Sequence, residues 1–212
     1  LMKIVTAIKH PATALRNAFY YLTGNSIGRI FYPPHIYKSL WFNRISTEGW
    51  KWITTGLIHQ KLLGTNAEAW WPVSPKQRVI KPGNISFHIN DLNNFQMTGT
   101  YFQAFGRITI GRGTYIAQNV GIITANHNVL NPDEHTPPRD INIGEKCWIG
   151  MNSVILPGVT LGPHTTVGAG SIVTKSFPEG HCIIAGNPAK IIRYLEYPHQ
   201  QQSATPQKPN QP

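Results

Sequence analysis

Ile143-Gly-Glu-Lys-Cys-Trp-Ile149-Gly-Met-Asn-Ser-Val-Ile155-Leu-Pro-Gly-Val-Thr-Leu161-Gly-Pro-His-Thr-Thr-Val167-Gly-Ala-Gly-Ser-Ile-Val173 places an aliphatic residue at every sixth position. The same phase appears upstream at Ile110, Ile116 and Ile122. Gly often follows the aliphatic, at Gly111, Gly144, Gly150, Gly162 and Gly168. The fourth residue after it is mostly small or of modest size: Thr114, Val120, Asn126, Cys147, Ser153, Val159, Thr165, Ser171. With roughly a quarter of residues aliphatic in an average chain, filling all these slots by chance has odds on the order of one in a hundred thousand. A helix repeats its apolar face every ~3.6 residues and a strand every ~2, so neither alone gives this period. A short flat segment followed by a corner does. The aliphatic points into a shared core, the small residue relieves crowding at the corner, and Gly supplies unusual backbone angles. A hexapeptide period is the sequence sign of a parallel β-helix.

Working outward, the repeat breaks after His127. The step from Ile122 to Ile143 is not a multiple of six, and residues 128–142 carry Pro132, Asp133, Glu134, His135, Pro137 and Pro138. A loop therefore leaves the coil and returns, and in repeat proteins such excursions are where functional groups gather. Upstream, Ile85, Phe87 and Ile89 alternate as a strand would, and the solenoid proper is expected from Ile108 or Ile110. Residues 81–109 read as irregular strands capping its open end, residues 110–178 as the β-helix with loop 128–142, and residues 179–197 as a closing strand and basic segment. Residues 198–212 are mostly Gln, Pro, Ser and Asn and read as a disordered tail.

Residues 1–80 form a different regime. They hold ten Lys or Arg against Glu48 and Glu68, and five of the six tryptophans: Trp41, Trp50, Trp52, Trp70 and Trp71. A helix is expected from Pro11, with Leu15, Phe19 and Leu22 on one side and Gly24 as its stop. A short one follows Pro33-Pro34 through Ile36 and Leu40, and a third spans Thr47 to Leu63. No signal-peptide pattern and no membrane-spanning apolar run is expected here. Cations mixed with Trp suit an anionic membrane surface or an acidic partner, and no nucleic-acid motif accompanies them. Cys147 and Cys182 are far apart in sequence and show no CxxC or other metal-ligand spacing, which points to a reduced, cytoplasmic setting. No metal is expected.

His127 stands where the coil gives way to the loop, between Asn126 and Asn128. Imidazole, with a pKa of ~6.5, suits removal of a hydroxyl proton near neutrality. Its second ring nitrogen needs an orienting carboxylate or backbone carbonyl, and Asp140 and Glu134 are loop candidates.

The segments Ile116–Val120, Thr124–His127, Cys147–Gly150, Leu156–Val159, Gly168–Lys175 and Ala185–Lys190 together resemble the hexapeptide-repeat CoA-dependent acetyltransferases, notably the maltose, galactoside and polysaccharide O-acetyltransferases. The resemblance covers about residues 93–193. It implies a mainly β chain, a left-handed parallel β-helix (hexapeptide-repeat solenoid) with an N-terminal helical extension, assembled as a homotrimer. It implies acetyl-CoA as acyl donor and His127 as general base. It puts Gly150, Met151, Ala169 and Gly170 along the pantetheine arm, and Thr174, Lys175, Lys190 and Arg193 near the nucleotide phosphates. Tyr101, Gln103 and Asn126 become candidates for acceptor binding. The basic, Trp-rich N-terminal region departs from the sugar acetyltransferases. It favours a glycan acceptor that is large or lipid-linked, such as a surface polysaccharide or its precursor, met through peripheral contact of residues 1–80 with the inner face of the cytoplasmic membrane. Transfer to an amine, a non-catalytic trimeric scaffold, and a zinc hydratase using His127, His135 and His164 are the competing readings.

Overall fold

The computed structural model describes residues 11–42 and 47–196. The expected tail, residues 198–212, lies outside the described residues, as does the stretch before Pro11. Three parallel sheets wrap one core, giving a left-handed parallel β-helix preceded by helices.

Each strand is short because each face of the coil is short. The first face stacks β1 (Arg78–Ile80), β3 (Tyr101–Gln103), β6 (Gly121–Ile123), β9 (Val154–Ile155) and β12 (Ile172–Val173). The second stacks β2 (Ile85–Ser86), β4 (Ile108–Ile110), β7 (Ile141–Ile143) and β10 (Thr160–Leu161). The third stacks β5 (Tyr115–Ile116), β8 (Trp148–Ile149), β11 (Thr166–Val167) and β13 (Cys182–Gly186), and ends with the antiparallel β14 (Ala189–Tyr194) after a cis Asn187–Pro188 peptide. Ile143 pairs with Leu161, eighteen residues on, whereas Ile110 pairs with Ile143, thirty-three on. The difference is the loop that carries His127.

All nine repeat aliphatics are buried, and the small residues behind them are buried too, except Asn126. The hydroxyls among them bond to the coils. Thr114 Oγ1 donates to Gly144 O at 2.7 Å and Ser153 Oγ to Gly168 O at 3.0 Å. Coils approach closely at the corners. A Cβ on Gly144 would lie 2.6 Å from the carbonyl carbon of Gly162 on the next coil. Lys146, His164 and His181 recur at one corner with positive φ, following the turn without glycine.

Strand pairing starts at Arg78 rather than at Ile108 or Ile110, so the coil begins well before the hexads do. The early core is aromatic. Trp71, Phe95 and Phe102 are fully buried and in ring contact, with Phe87 against Trp71 and Phe95 at 4.9 and 4.6 Å. Because Phe87 joins this cluster, the expected 85–89 strand stops at Ser86 and residues Ile89–Gln96 turn into 3-10 structure. The open edge is closed by side-chain amides that imitate a missing strand. Asn94 Oδ1 accepts from Ile116 N at 2.9 Å while its Nδ2 donates to Thr114 O at 2.8 Å. Asn66 does the same for β1, with Val79 N at 2.9 Å and Gln77 O at 3.1 Å.

Among the helices, α1 (Pro11–Ser26) runs past the expected stop at Gly24 and is followed by α2 (Gly28–Phe31). Gly24 is instead a contact point, where a Cβ would lie 2.9 Å from Trp50 O. The expected 47–63 helix is α3 (Glu48–Leu57) followed by a π-helical turn, Ile58–Leu62. That turn aims Gln60 inward. Its Oε1 accepts from Tyr32 Oη at 2.8 Å and Val73 N at 3.1 Å, and its Nε2 donates to the Ala69 and Trp71 carbonyls. The Ile36–Leu40 segment is 3-10 turns, with Ile36 buried and Leu40 half exposed. Among the described residues, no helix is long and apolar enough to cross a membrane.

Candidate active site

The chain leaves the first face at the end of β6 and does not enter the second until β7. Thr124 and Gln103 fix the departure. Thr124, fully buried, donates to Gln103 O at 2.7 Å and accepts from Gly106 N at 3.0 Å. Gln103 Oε1 accepts from Ala125 N at 3.1 Å. The loop then folds on itself. Asn126 O accepts from both Thr136 N (2.8 Å) and Thr136 Oγ1 (3.0 Å), and Asn128 N donates to Glu134 O at 2.8 Å. Arg139 N closes the neck on Thr124 O at 2.8 Å.

This tether presents His127 at the surface, opposite His135 in an antiparallel bridge, with ring centroids 4.2 Å apart. His127 Nδ1 lies 2.6 Å from Pro132 O. A carbonyl oxygen can only accept, so the neutral ring carries its proton on Nδ1 and leaves the Nε2 lone pair open. The orienting group is therefore a backbone carbonyl. Neither candidate carboxylate fills that role: Asp140 Oδ1 accepts from Arg107 N at 2.8 Å, and Glu134 Oε2 from Asn128 Nδ2 at 3.4 Å. Sequence reasoning gave no site role to Thr124, Thr136 or Pro132. Pro132 showed only as a chain breaker, because the useful atom is one that every residue possesses.

The other candidates fall at two neighbouring corners. Gly150 and Met151 follow β8, Ala169 and Gly170 follow β11, and Gly170 N donates to Met151 O at 2.8 Å, so these four form one column. A Cβ on Gly150 would meet Ala169 N and Val167 O, both at 2.6 Å, so coil packing alone requires that glycine. Gly170, with φ +70°, faces open space. Lys190 and Arg193 lie on β14 along the same sheet. Thr174 and Lys175 follow β12, at the corner from which the His127 loop departs one coil away from Leu156. The first face lies between the two columns and carries Tyr101 and Gln103 on β3, both half buried. Asn126 is exposed beside His127.

Two other clusters stand apart. His164 stacks on His181 at the corner between the second and third faces (centroids 5.0 Å), so one chain does not gather His127, His135 and His164. Cys147 and Cys182 are buried free thiols. Burial raises the Cys147 thiol pKa against hydrogen bonds from Thr165 and Thr114, the state of an unreactive core residue.

A three-faced hexapeptide solenoid with one histidine-bearing excursion is the architecture these features define. Residues 140–175 match the family described as bacterial transferase hexapeptide (six repeats), and the chain resembles hexapeptide-repeat acetyltransferases. A protein of Staphylococcus aureus (strain MRSA252), provisionally named an acetyltransferase, is 40% identical over 107 residues, which is 49% of this chain and 53% of that one. The chain thus spans about half the length of the curated relatives it matches. Among solved structures, a maltose O-acetyltransferase from Clostridium difficile 630 is 35% identical, with TM-score 0.44, over 46% of this chain and 54% of that one. A hexapeptide-repeat acetyltransferase from Vibrio cholerae O1 biovar eltor, complexed with acetyl-CoA, is 26% identical, with TM-score 0.45, over 57% and 69%.

Proposed function

We propose that the chain transfers an acetyl group from acetyl-CoA to a sugar hydroxyl, with His127 as general base. The observation that carries this is the Nδ1–Pro132 carbonyl contact at 2.6 Å, which holds the imidazole in the tautomer a base requires. Kinship with the staphylococcal relative supports acetyl transfer as the reaction class.

The steps follow from that tautomer. Nε2 takes the proton of the acceptor hydroxyl as its oxygen bonds to the thioester carbonyl carbon. The Nδ1–H on Pro132 O stabilises the imidazolium formed. The tetrahedral intermediate collapses, the carbon–sulfur bond breaks, and the departing thiolate recovers the proton from Nε2. The donor's arm is assigned to the corner column of Met151, Ala169 and Gly170, where the open side of Gly170 leaves room for close approach to backbone. Lys175, Lys190 and Arg193 are assigned to its phosphates. Tyr101, Gln103 and Asn126 are assigned to the acceptor side, with Gln103 also holding the loop through Ala125.

The reading includes a homotrimer. Tyr115 and Trp148 stand in register on the outer third face, 61% and 59% exposed, and Val129 and Leu130 beside His127 are 92% and 94% exposed. Side chains of this kind are what a neighbouring copy covers. The acceptor is a surface polysaccharide or its lipid-linked precursor, met on the cytoplasmic side, where residues 1–80 supply the excess of cations.

Thiol release from acetyl-CoA, measured against a panel of surface glycans and simple sugars, tests this. Glycan-dependent release should fall by ~10²–10⁴-fold in His127→Ala. Release indifferent to that change would remove His127 from the mechanism. Amine-only acceptors would move the reaction to N-acetylation.

A further inference from the structure

The outer side of the first helix is unusual for a protein surface. Ile27, between α1 and α2, keeps helical angles (φ −75°, ψ −39°), so residues 11–31 run as nearly one helix. At about 100° per residue, Leu15, Phe19, Leu22 and Ile30 fall within an arc of about 80°, roughly opposite Gly24. Gly24 and Gly28 are where the helix sits down on Trp50 and Ile53 of α3. The stripe therefore faces outward, and its four side chains are 75%, 57%, 63% and 76% exposed. Single exposed apolar residues are ordinary, but four along one arc of a helix, interrupted there only by Ser26, are not.

Charge selects the occupant. Arg16 and Arg29 border the stripe, and residues 1–47 contain no acidic side chain. A second copy laid on this face would set cations against cations. An anionic headgroup layer would meet them with opposite charge, while the Leu, Phe and Ile side chains enter the acyl boundary. The helix is not long and apolar enough to cross.

We infer that residues 11–31 lie flat in the headgroup layer of an anionic bilayer, inserting Leu15, Phe19, Leu22 and Ile30. The inference deepens the proposed reading of a lipid-linked acceptor and rests on it for its purpose, but the binding itself does not require catalysis.

Flotation of the full chain with vesicles tests it. The protein should float with phosphatidylcholine vesicles containing about a third phosphatidylglycerol, less with phosphatidylcholine alone, and less in high salt. Leu15→Glu/Phe19→Glu, folded by circular dichroism, should lose binding on the order of a hundredfold while keeping thiol release with a water-soluble acceptor. Wild-type protein that stays with the solvent, or a double variant that floats as well as wild type, overturns the inference. So does a double variant whose sedimenting mass drops, because the face would then join copies. Absence of thiol release with flotation intact would instead count against the catalytic reading alone.

Discussion

At the scale of single residues, two glycines that look alike in the sequence do different work. Gly150 sits where any Cβ would press on Ala169 N and Val167 O of the next coil, while Gly170 opens to solvent with φ +70°. Gly150→Ala should therefore destabilise by about 1–3 kcal/mol, lowering the melting temperature by roughly 2–10 °C. Gly170→Asn, a residue that tolerates the left-handed region, should melt near wild type yet raise KM for acetyl-CoA about tenfold by filling the space assigned to the donor. An unchanged KM would remove Gly170 from the donor site. The sequence distinguished neither role, because a hexad glycine is explained by the corner whether or not a ligand approaches it. His127 was visible for the opposite reason: it breaks the repeat at the mouth of an insertion. Its partner was not, because residue type says nothing about where the Pro132 carbonyl points.

At the scale of elements, the corner between the second and third faces is a titratable ladder. His164 stacks on His181, with Lys146 on the coil below and Glu145 beside it. Burial lowers the His164 pKa from 6.5, and His181 and Lys146 lower it further, against the pull of Glu145. The unfolded chain then binds more protons than the folded one just below pH 6.5. Stability should be full above that pH and decline as pH falls through the folded value. His164→Gln should flatten that part of a denaturant-midpoint profile, and a profile of unchanged slope would show that the corner does not contribute. The elements themselves were legible only where their core is aliphatic. The coils from β4 onward follow the period of Ile, Leu and Val. The early coils are filled by Trp71, Phe95 and Phe102, which do not fall on the hexads, and they are edged by Asn66 and Asn94, whose amides replace a strand that no periodicity could announce.

At the scale of the whole molecule, the surface proposed for copies and the one inferred to meet a membrane are separate. Tyr115 and Trp148 lie on the third face of the solenoid, whereas the Leu15–Ile30 stripe lies on the helical extension. Sedimentation should give wild-type protein the mass of three chains. Trp148→Glu, placing a carboxylate on the face proposed to meet a neighbour, should give the mass of one chain with an unchanged circular dichroism spectrum. A variant that keeps the trimer mass would move the contact to another face. The basic, aromatic character of residues 1–80 was readable from composition, but which side chains face outward was not. The same Leu15, Phe19 and Leu22 spacing serves an inward or an outward face, and only the seating of Gly24 on Trp50 decides between them.

The His127 excursion leaves and re-enters the coil with its neck tied by Arg139 N on Thr124 O, while β6 and β7 keep register with the coils on either side. Its length is thus uncoupled from the scaffold's geometry. The segment could be lengthened, shortened or exchanged for another while the solenoid beneath it goes on folding as before. The barrel of coils would then serve as an unchanging socket and the excursion as an interchangeable tool.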